Sequence, residues 1–117
     1  MPSYAYFQKK FVPLEEAKIP IMTHCLHYGT AIFEGIRGNW NAEKKQTYIF
    51  RLREHYERLL NGCKVLNIEL PLSIDEMCNT TIELVEMCGF QEDVYIRRTV
   101  RTRQTNPIPG NASLPLA

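Results

Sequence analysis

The spacing of apolar residues changes near residue 53, and this change restricts the possible folds more than any other feature of the sequence. Segments 33–40 and 46–52 are rich in β-branched and aromatic residues and are joined by the polar turn 41–45, which is typical of two paired strands. From residue 53 onward, apolar residues instead recur at positions i, i+3, i+4 and i+7. The residues with this spacing are Tyr56, Leu59, Leu60, Cys63 and Leu66. We therefore predict a strand pair followed by an amphipathic helix of about four turns.

A second helix is marked at both of its ends. Ser73 followed by Glu76 forms a capping box, and Gly89 stands where a left-handed residue would end the helix. A strand pattern returns at 94–100, and segment 4–13 is typical of a further strand pair or one bent strand. This order predicts an α+β fold, a two-layer sandwich in which two helices cover one face of a largely antiparallel sheet.

Segment 24–37, HCLHYGTAIFEGIR, combines imidazole, aromatic and guanidinium groups with two glycines. In a strand, Phe33, Gly35 and Arg37 would share one face, so that an apolar ring, an open space and a cation lie together. A glycine lets a ligand approach the backbone, and the planar fork of an arginine suits a carboxylate or a phosphate. A strand with a solvent-exposed arginine would give the same pattern, so the segment by itself leaves both interpretations open.

Composition argues against several classes of protein. The formal net charge of +1 disfavours a dedicated nucleic-acid-binding protein. The sequence lacks both an apolar run of about 18 residues, which a membrane span needs, and the basic-then-apolar start of a secretion signal. We therefore expect a cytoplasmic protein that binds neither membranes nor nucleic acid. The cysteines form no CxxC pair, which favours buried free thiols over disulfides or a zinc site. They are Cys25, Cys63, Cys78 and Cys88.

Three motifs resemble, in order and spacing, the branched-chain amino-acid aminotransferases. They are HCLHYGTAIFEGIR at 24–37, FRLREHYERL at 50–59 and YIR at 95–97. The enzymes of this group are class-IV aminotransferases of fold type IV and use pyridoxal 5'-phosphate. The resemblance covers residues 4–97. It implies that residues 1–97 are the N-terminal small domain of an enzyme that exchanges an amino group between leucine, isoleucine or valine and 2-oxoglutarate.

The resemblance also implies roles for individual residues. Arg58, in the EHYERL motif, would bind the cofactor phosphate, and an exposed helical ion pair with Glu54 is the alternative. Tyr95 and Arg97 would share one strand face and meet the substrate carboxylate. The substrate-binding residues that the resemblance implies are Tyr28, Phe33, Gly35, Arg37, Tyr95 and Arg97.

The remaining members of this set would shape the pocket. Phe33 and Gly35 would line the space for a branched aliphatic side chain. Arg37 would be a second anion-binding group, unless it forms a structural ion pair. The competing partners for Arg37 are Glu34 and Glu54. Tyr28 matches a tyrosine that the family contributes to the pocket of the neighbouring subunit, so a homodimer is expected.

The resemblance places the catalytic lysine of the family in a second domain, beyond this chain. The lysines present here stand in polar turns or on helix surfaces, and none matches it: Lys9, Lys10, Lys18, Lys44, Lys45 and Lys64. We therefore expect no catalytic residue in the chain and no activity from the chain alone. After Arg97 the resemblance ends, and residues 98–117 are typical of a Pro-punctuated, irregular tail. A frame change or a truncated gene product would explain such a tail.

Two other functions compete with this one. The same fold could serve a class-IV aminotransferase that acts on a D-amino acid or an amine. Alternatively, the chain could be a non-catalytic domain that pairs with another chain, or a basic-tailed protein that binds nucleic acid. The residues of that basic tail would be Arg97, Arg98, Arg101 and Arg103.

Overall fold

The computed structural model describes residues 3–102, in which the predicted strands and helices occur in the predicted order, together with a 3-10 turn and one short helix that were not predicted. The hairpin β1–β2 comes first, followed by a short 3-10 turn and the helix α1. The strands β3 and β4, the helices α2 and α3 and the strand β5 complete the domain. Their bounds are β1 Tyr4–Phe7, β2 Lys10–Pro13, the 3-10 turn Leu14–Glu16, α1 His24–Tyr28, β3 Ala31–Asn41, β4 Gln46–Ile49, α2 Leu52–Val65, α3 Ile74–Cys88 and β5 Val94–Arg101.

The strands form two antiparallel sheets. β1 pairs with β2, and a separate three-stranded sheet has the order β4-β3-β5. The α+β class, the antiparallel pairing and the helical layer are therefore confirmed, whereas the single continuous sheet that the sequence predicts is divided in two. The divided sheet leaves β5 at an edge of the larger sheet within residues 3–102.

β3 is the longest strand, and its two neighbours cover different parts of it. β5 pairs with residues 31–38 of β3, while β4 pairs only with residues 38–41. One further bond, from the Phe50 amide to the Arg37 carbonyl at 3.0 Å, extends the contact on the β4 side. Residues 31–36 of β3 therefore have β5 on one side and, within the described part of the chain, no strand on the other.

The hydrophobic core lies between the larger sheet and the helices. Ile36 of β3, Tyr56 and Leu59 of α2, and Met77 of α3 are all fully buried. Burial of each such side chain stabilises the fold by roughly 1.5–3 kcal/mol. The hydroxyl of Tyr56 is bonded to Thr81, whose own hydroxyl donates to the Met77 carbonyl at 2.9 Å, so the polar atoms in this core are satisfied.

The predicted helix boundaries agree closely with the structure. Ser73 accepts a hydrogen bond from the Glu76 amide at 3.1 Å, and Gly89 ends α3 in the left-handed conformation with φ 62°. α2 begins one residue earlier than predicted, because Arg51 adopts a left-handed backbone, φ 51°, that ends the strand and starts the helix. The strand predicted over 46–52 consequently stops at Ile49.

Three further observations concern α1, the cysteines and the end of β5. α1 is a one-turn helix that the sequence analysis did not predict, and it ends at Gly29 with φ 68°. All four cysteines are free, with Cys63 and Cys88 buried and the other two half-buried. β5 extends to Arg101 and so includes the first residues of the tail predicted at 98–117. The rest of that tail, residues 103–117, lies outside the described residues.

Candidate functional site

β3 and β5 bring five of the predicted substrate-binding residues onto one exposed surface. In the antiparallel register Gly35 lies opposite Arg97, and Arg37 lies opposite Tyr95. Phe33 is on the same face of β3, and because side chains alternate along a strand, all five point away from the helices. We call this surface the outer face; it consists of Phe33, Gly35, Arg37, Tyr95 and Arg97.

The side chains of the outer face contact one another. The guanidinium carbon of Arg97 lies 4.4 Å from the centre of the Phe33 ring, a cation–π contact. The Tyr95 ring lies over Gly35, which has no side chain to displace it. Its hydroxyl is 3.5 Å from Nη2 of Arg97. An apolar ring, a phenol and a guanidinium are thus assembled on one exposed surface, an arrangement suited to a carboxylate that carries an apolar group.

Arg37 belongs to the outer face and is exposed. The ion pair with Glu34 or Glu54 that the sequence left open is not formed among residues 3–102, because Glu34 points to the opposite face of β3 and binds other residues. Arg37 therefore remains a second cation on the outer face.

Tyr28 lies elsewhere, at the C-terminal end of α1. Its ring meets His24 edge-on with 5.1 Å between the ring centres, and His27 is its other aromatic neighbour. The structure therefore places Tyr28 outside the strands that carry the other five residues.

The opposite face of β3, which packs against the helices, carries a cluster that the sequence analysis missed. Glu34 accepts two hydrogen bonds from Arg58, from Nε at 2.9 Å and from Nη2 at 2.7 Å. Its Oε1 atom also lies 2.7 Å from Nδ1 of His55. The alternative pairing of Arg58 with Glu54 is thus not observed, and the FEGIR and EHYERL motifs meet in this cluster.

The three side chains of the cluster differ strongly in exposure. Glu34 retains 7% of its side-chain exposure and His55 retains 18%, whereas Arg58 retains 72%. The hydrogen bonds from Arg58, and secondly those from His55, hold the pKa of Glu34 below its ordinary value, although burial opposes them. Glu34 in turn raises the pKa of Arg58. The carboxylate is therefore charged at neutral pH, and a buried charge of this kind needs such partners.

Arg58 retains unused hydrogen-bond donors. Its bonds to Glu34 use Nε–H and one N–H of Nη2, so Nη1 and the second N–H of Nη2 are left for another acceptor. Because the side chain is largely exposed, these donors suit an anion such as a phosphate. Among Glu34, His55 and Arg58, Arg58 is therefore the residue that could bind a phosphate group.

A sequence signal could have identified Glu34. Period two places it between Ile32 and Ile36, both on the face that packs against the helices, and a carboxylate at a buried position requires a cationic partner. His55 and Arg58 stand three residues apart on α2 and so share a helix face. The sequence does not show, however, that this face of α2 packs against Glu34 of β3.

The sheet separates Arg58 from the outer face. Residues 31–36 of β3 have no strand beside them on the β4 side within the described residues. All six lysines are exposed, and none belongs to β3 or β5. Between residues 3 and 102, the structure shows no group of histidine, cysteine or acidic residues that could bind a metal, and no helix there is long and apolar enough to cross a membrane.

Comparisons with known proteins identify the family of the chain. The family model for amino-transferase class IV matches residues 31–113. A probable branched-chain-amino-acid aminotransferase of Aquifex aeolicus is 53% identical over 94 residues, which cover 80% of this chain and 30% of that protein. The branched-chain-amino-acid aminotransferase of Salmonella typhimurium is 35% identical over 111 residues, 92% of this chain and 35% of the relative.

Solved structures give the same result. The crystal structure of a branched-chain aminotransferase from Thermoproteus uzoniensis with norvaline superposes with a TM-score of 0.86 at 34% identity, covering 96% of this chain and 37% of that one. The enzyme from Thermobaculum terrenum in its PLP form gives 0.76 at 36% identity, covering 84% and 32%. The chain spans about a third of the length of these relatives. With a family model that matches most of its residues and a site built from the shared motifs, the chain belongs to the amino-transferase class IV family.

Proposed function

We propose that the chain is the N-terminal part of a branched-chain-amino-acid aminotransferase, which transfers an amino group between leucine, isoleucine or valine and 2-oxoglutarate. The observation that carries this proposal is the outer face, where the Arg97 guanidinium contacts the Phe33 ring and lies beside the Tyr95 hydroxyl. A substrate of this class has a carboxylate close to an aliphatic side chain. The outer face offers a partner for each of these groups.

The roles follow from the chemistry of each side chain. Arg97 and Tyr95 bind the substrate carboxylate, and Arg37 is a second anion-binding group. Phe33 provides an apolar wall for the aliphatic group, and Gly35, which the exposed Tyr95 ring covers, leaves room for that group when the ring swings outward. Tyr28, which lies outside this face, completes the pocket of a second subunit, so the complete enzyme is a dimer.

The cofactor of the complete enzyme is pyridoxal 5'-phosphate, and Arg58 holds its phosphate group. The exposed guanidinium with unused donors supports this assignment. When bound, this cofactor supplies the electron sink and carries the amino group. The lysines of this chain are exposed and none belongs to β3 or β5. In this proposal the catalytic lysine belongs to a further domain, so that the chain alone is inactive. The proposed domain extends beyond the predicted boundary at residue 97 to the end of β5 at Arg101, and the enzyme acts in the cytoplasm.

The arginines of the predicted basic tail do not all lie on one surface, which argues against a nucleic-acid-binding role. Arg97 points outward, whereas Arg98, which pairs in register with Glu34, faces the helices and lies 5.8 Å from the ring centres of Tyr6 and Tyr56. The two arginines therefore do not form one basic patch. Arg103 lies outside the described residues.

A chimaera tests the proposed function directly. The 94 matched residues of this chain replace the corresponding third of the Aquifex aeolicus relative, and transamination of leucine with 2-oxoglutarate is measured. We expect turnover, with a raised KM for both substrates when Arg97 is changed to glutamine. The matched control is Arg53→Gln, which removes an exposed charge from α2, on the other side of the sheet from the outer face. A folded, cofactor-loaded chimaera that acts on D-amino acids or amines, and not on leucine, would contradict the proposal.

A further inference from the structure

Glu34 occupies an unusual position for a carboxylate. Its side chain is 7% exposed and lies on the face of β3 that packs against the helices, between the buried Ile36 and the partly buried Ile32. A hydrophobic residue would fit such a position at less cost, since a buried charge must be compensated by hydrogen bonds. Both oxygens of Glu34 are used for this, and both accept from Arg58.

Arg58, unlike Glu34, is largely exposed to solvent. An arginine that is 72% exposed normally samples many rotamers, and holding it in one of them costs conformational entropy. The pair of hydrogen bonds from Nε and Nη2 to Glu34 fixes the plane of the guanidinium. His55 holds the Glu34 carboxylate from a second direction, at 2.7 Å.

We propose that Glu34 is a positioning residue for Arg58, and that His55 anchors the Glu34 carboxylate so that the free Nη1 and Nη2 donors of Arg58 are presented to a phosphate group in a fixed orientation. This rests on the proposed role of Arg58 in holding the cofactor phosphate. Glu34 itself does not touch the ligand. Because Glu34 already holds Arg58 in one orientation, the Arg58 side chain loses less conformational entropy when it binds a phosphate group, which is the usual benefit of preorganisation.

If Glu34 acts only through its charge, Glu34→Gln should change the affinity for phosphate in one direction. If Glu34 positions Arg58, the affinity should change in the opposite direction. Removing a negative charge beside an anion site, by itself, strengthens the binding of an anion. Losing the fixed orientation of Arg58 weakens it. The direction of the change therefore separates a positioning residue from a carboxylate that merely neutralises Arg58.

The experiment uses the full 117-residue chain labelled with 15N, and inorganic phosphate as the probe. The Nε–H signal of Arg58 and the dissociation constant for phosphate are followed during the titration by NMR. We expect phosphate to shift the Arg58 side-chain signals while the Nε–H bond to Glu34 persists. Glu34→Gln is expected to weaken phosphate binding by about threefold or more, the scale of one lost orienting interaction.

Glu57→Gln serves as the matched control, because Glu57 is an exposed carboxylate on the same helix next to Arg58. Its removal should leave phosphate binding unchanged or slightly stronger. Equal or tighter phosphate binding by Glu34→Gln would overturn the positioning role while leaving the phosphate role of Arg58 intact. If phosphate fails to shift Arg58 in the wild type, the phosphate role is wrong and the positioning proposal falls with it. Should Glu34→Gln not fold, release of the Nε–H bond in the phosphate-saturated wild type would overturn the proposal.

Discussion

Tyr95 lies across Gly35 of the neighbouring strand, with its ring in the space that a side chain at position 35 would occupy. The contact ties the two strands of the outer face together by complementarity of shape, since the absence of a side chain in one strand accommodates a ring of the other. Gly35 therefore contributes to the outer face through the position it gives the Tyr95 ring, which occupies the space over this residue.

Two glycines of β3 should respond differently to alanine. At Gly35 the added carbon meets the Tyr95 side chain, which is 64% exposed and free to swing outward, so Gly35→Ala should change stability by no more than about 0.5 kcal/mol. At Gly38 the added carbon would lie 2.7 Å from a Val94 methyl and 3.0 Å from a Thr47 methyl, on the strands at both sides. Gly38→Ala should therefore cost about 1–3 kcal/mol. Urea unfolding of both variants provides the comparison, and equal losses would contradict the assigned packing.

Two arginines of α2 should differ in their effect on stability. Arg53 pairs with Asp75 on the surface, where both groups are largely exposed, and such pairs contribute little. Arg58 pairs with the buried Glu34, so Arg58→Ala leaves a buried carboxylate with His55 as its remaining partner. We expect Arg58→Ala to lower the melting temperature clearly more than Arg53→Ala. A larger loss for Arg53→Ala would show that the Glu34 cluster does not form in solution.

Arg58→Lys should fall between these two variants. It keeps a positive charge for Glu34 but loses the planar fork, so apo stability should fall less than in Arg58→Ala, while the affinity for phosphate falls clearly. Thermal melting with phosphate titration in parallel measures the two effects. Unchanged phosphate affinity would remove Arg58 from the proposed site.

The Glu34 cluster should also give the domain a specific dependence on pH. Because the pKa of Glu34 is lower in the folded chain than its ordinary value of 4.5, the unfolded chain binds this proton more readily. The stabilisation is thus fully present above the ordinary value and is lost as the pH falls through the folded value. Urea unfolding of wild type and Glu34→Gln from about pH 7 to about pH 3 should show a steeper acid loss for the wild type. Parallel curves for the two proteins would argue against a charged Glu34.

The cysteines should react with alkylating reagents in an order set by burial. Cys63 is 2% exposed and Cys88 is 9% exposed, whereas Cys25 and Cys78 are half-buried. Burial also raises the pKa of the Cys63 and Cys78 thiols, which reduces their reactive thiolate form. Cys25 should therefore be modified first and Cys63 far more slowly. Peptide mass spectrometry after timed treatment with iodoacetamide gives the order, and early modification of Cys63 would place it outside the core.

The chain alone should show no transaminase turnover. Its lysines are exposed and lie outside β3 and β5, and the proposed function assigns the lysine that bonds the cofactor to a further domain. After incubation with pyridoxal 5'-phosphate and removal of the free cofactor, no protein-linked absorbance should remain. Turnover of leucine by the purified chain would refute the proposed division of the enzyme.

Local signals in the sequence predicted the helix boundaries because each is set by a few neighbouring residues. The cap at Ser73 and the left-handed Gly89 are examples. α1 escaped prediction because a single helical turn has no apolar period to detect, and its termination at Gly29 is its main signal. The ion cluster escaped prediction for a different reason. Which residue pairs with Arg58 depends on how α2 packs across β3, and chain order does not specify that packing.

It was easier to predict which residues of each strand lie together on the outer face. Period two alone placed Phe33, Gly35 and Arg37 together, and likewise Tyr95 and Arg97. The register that sets Gly35 opposite Arg97 was not predictable, because it depends on the connection through α2 and α3 between the two strands.

The alternation along β3 places two sets of residues on one continuous ribbon. Glu34 faces the helices, and its neighbours Phe33 and Gly35 face outward. Loss or gain of a single residue between 33 and 37 would exchange the two sets, turning the carboxylate to the outside and bringing an aromatic ring against α2. Substitutions can therefore change one face of β3 without changing the other. An insertion or deletion in this segment would disrupt both faces, so its length is constrained by both.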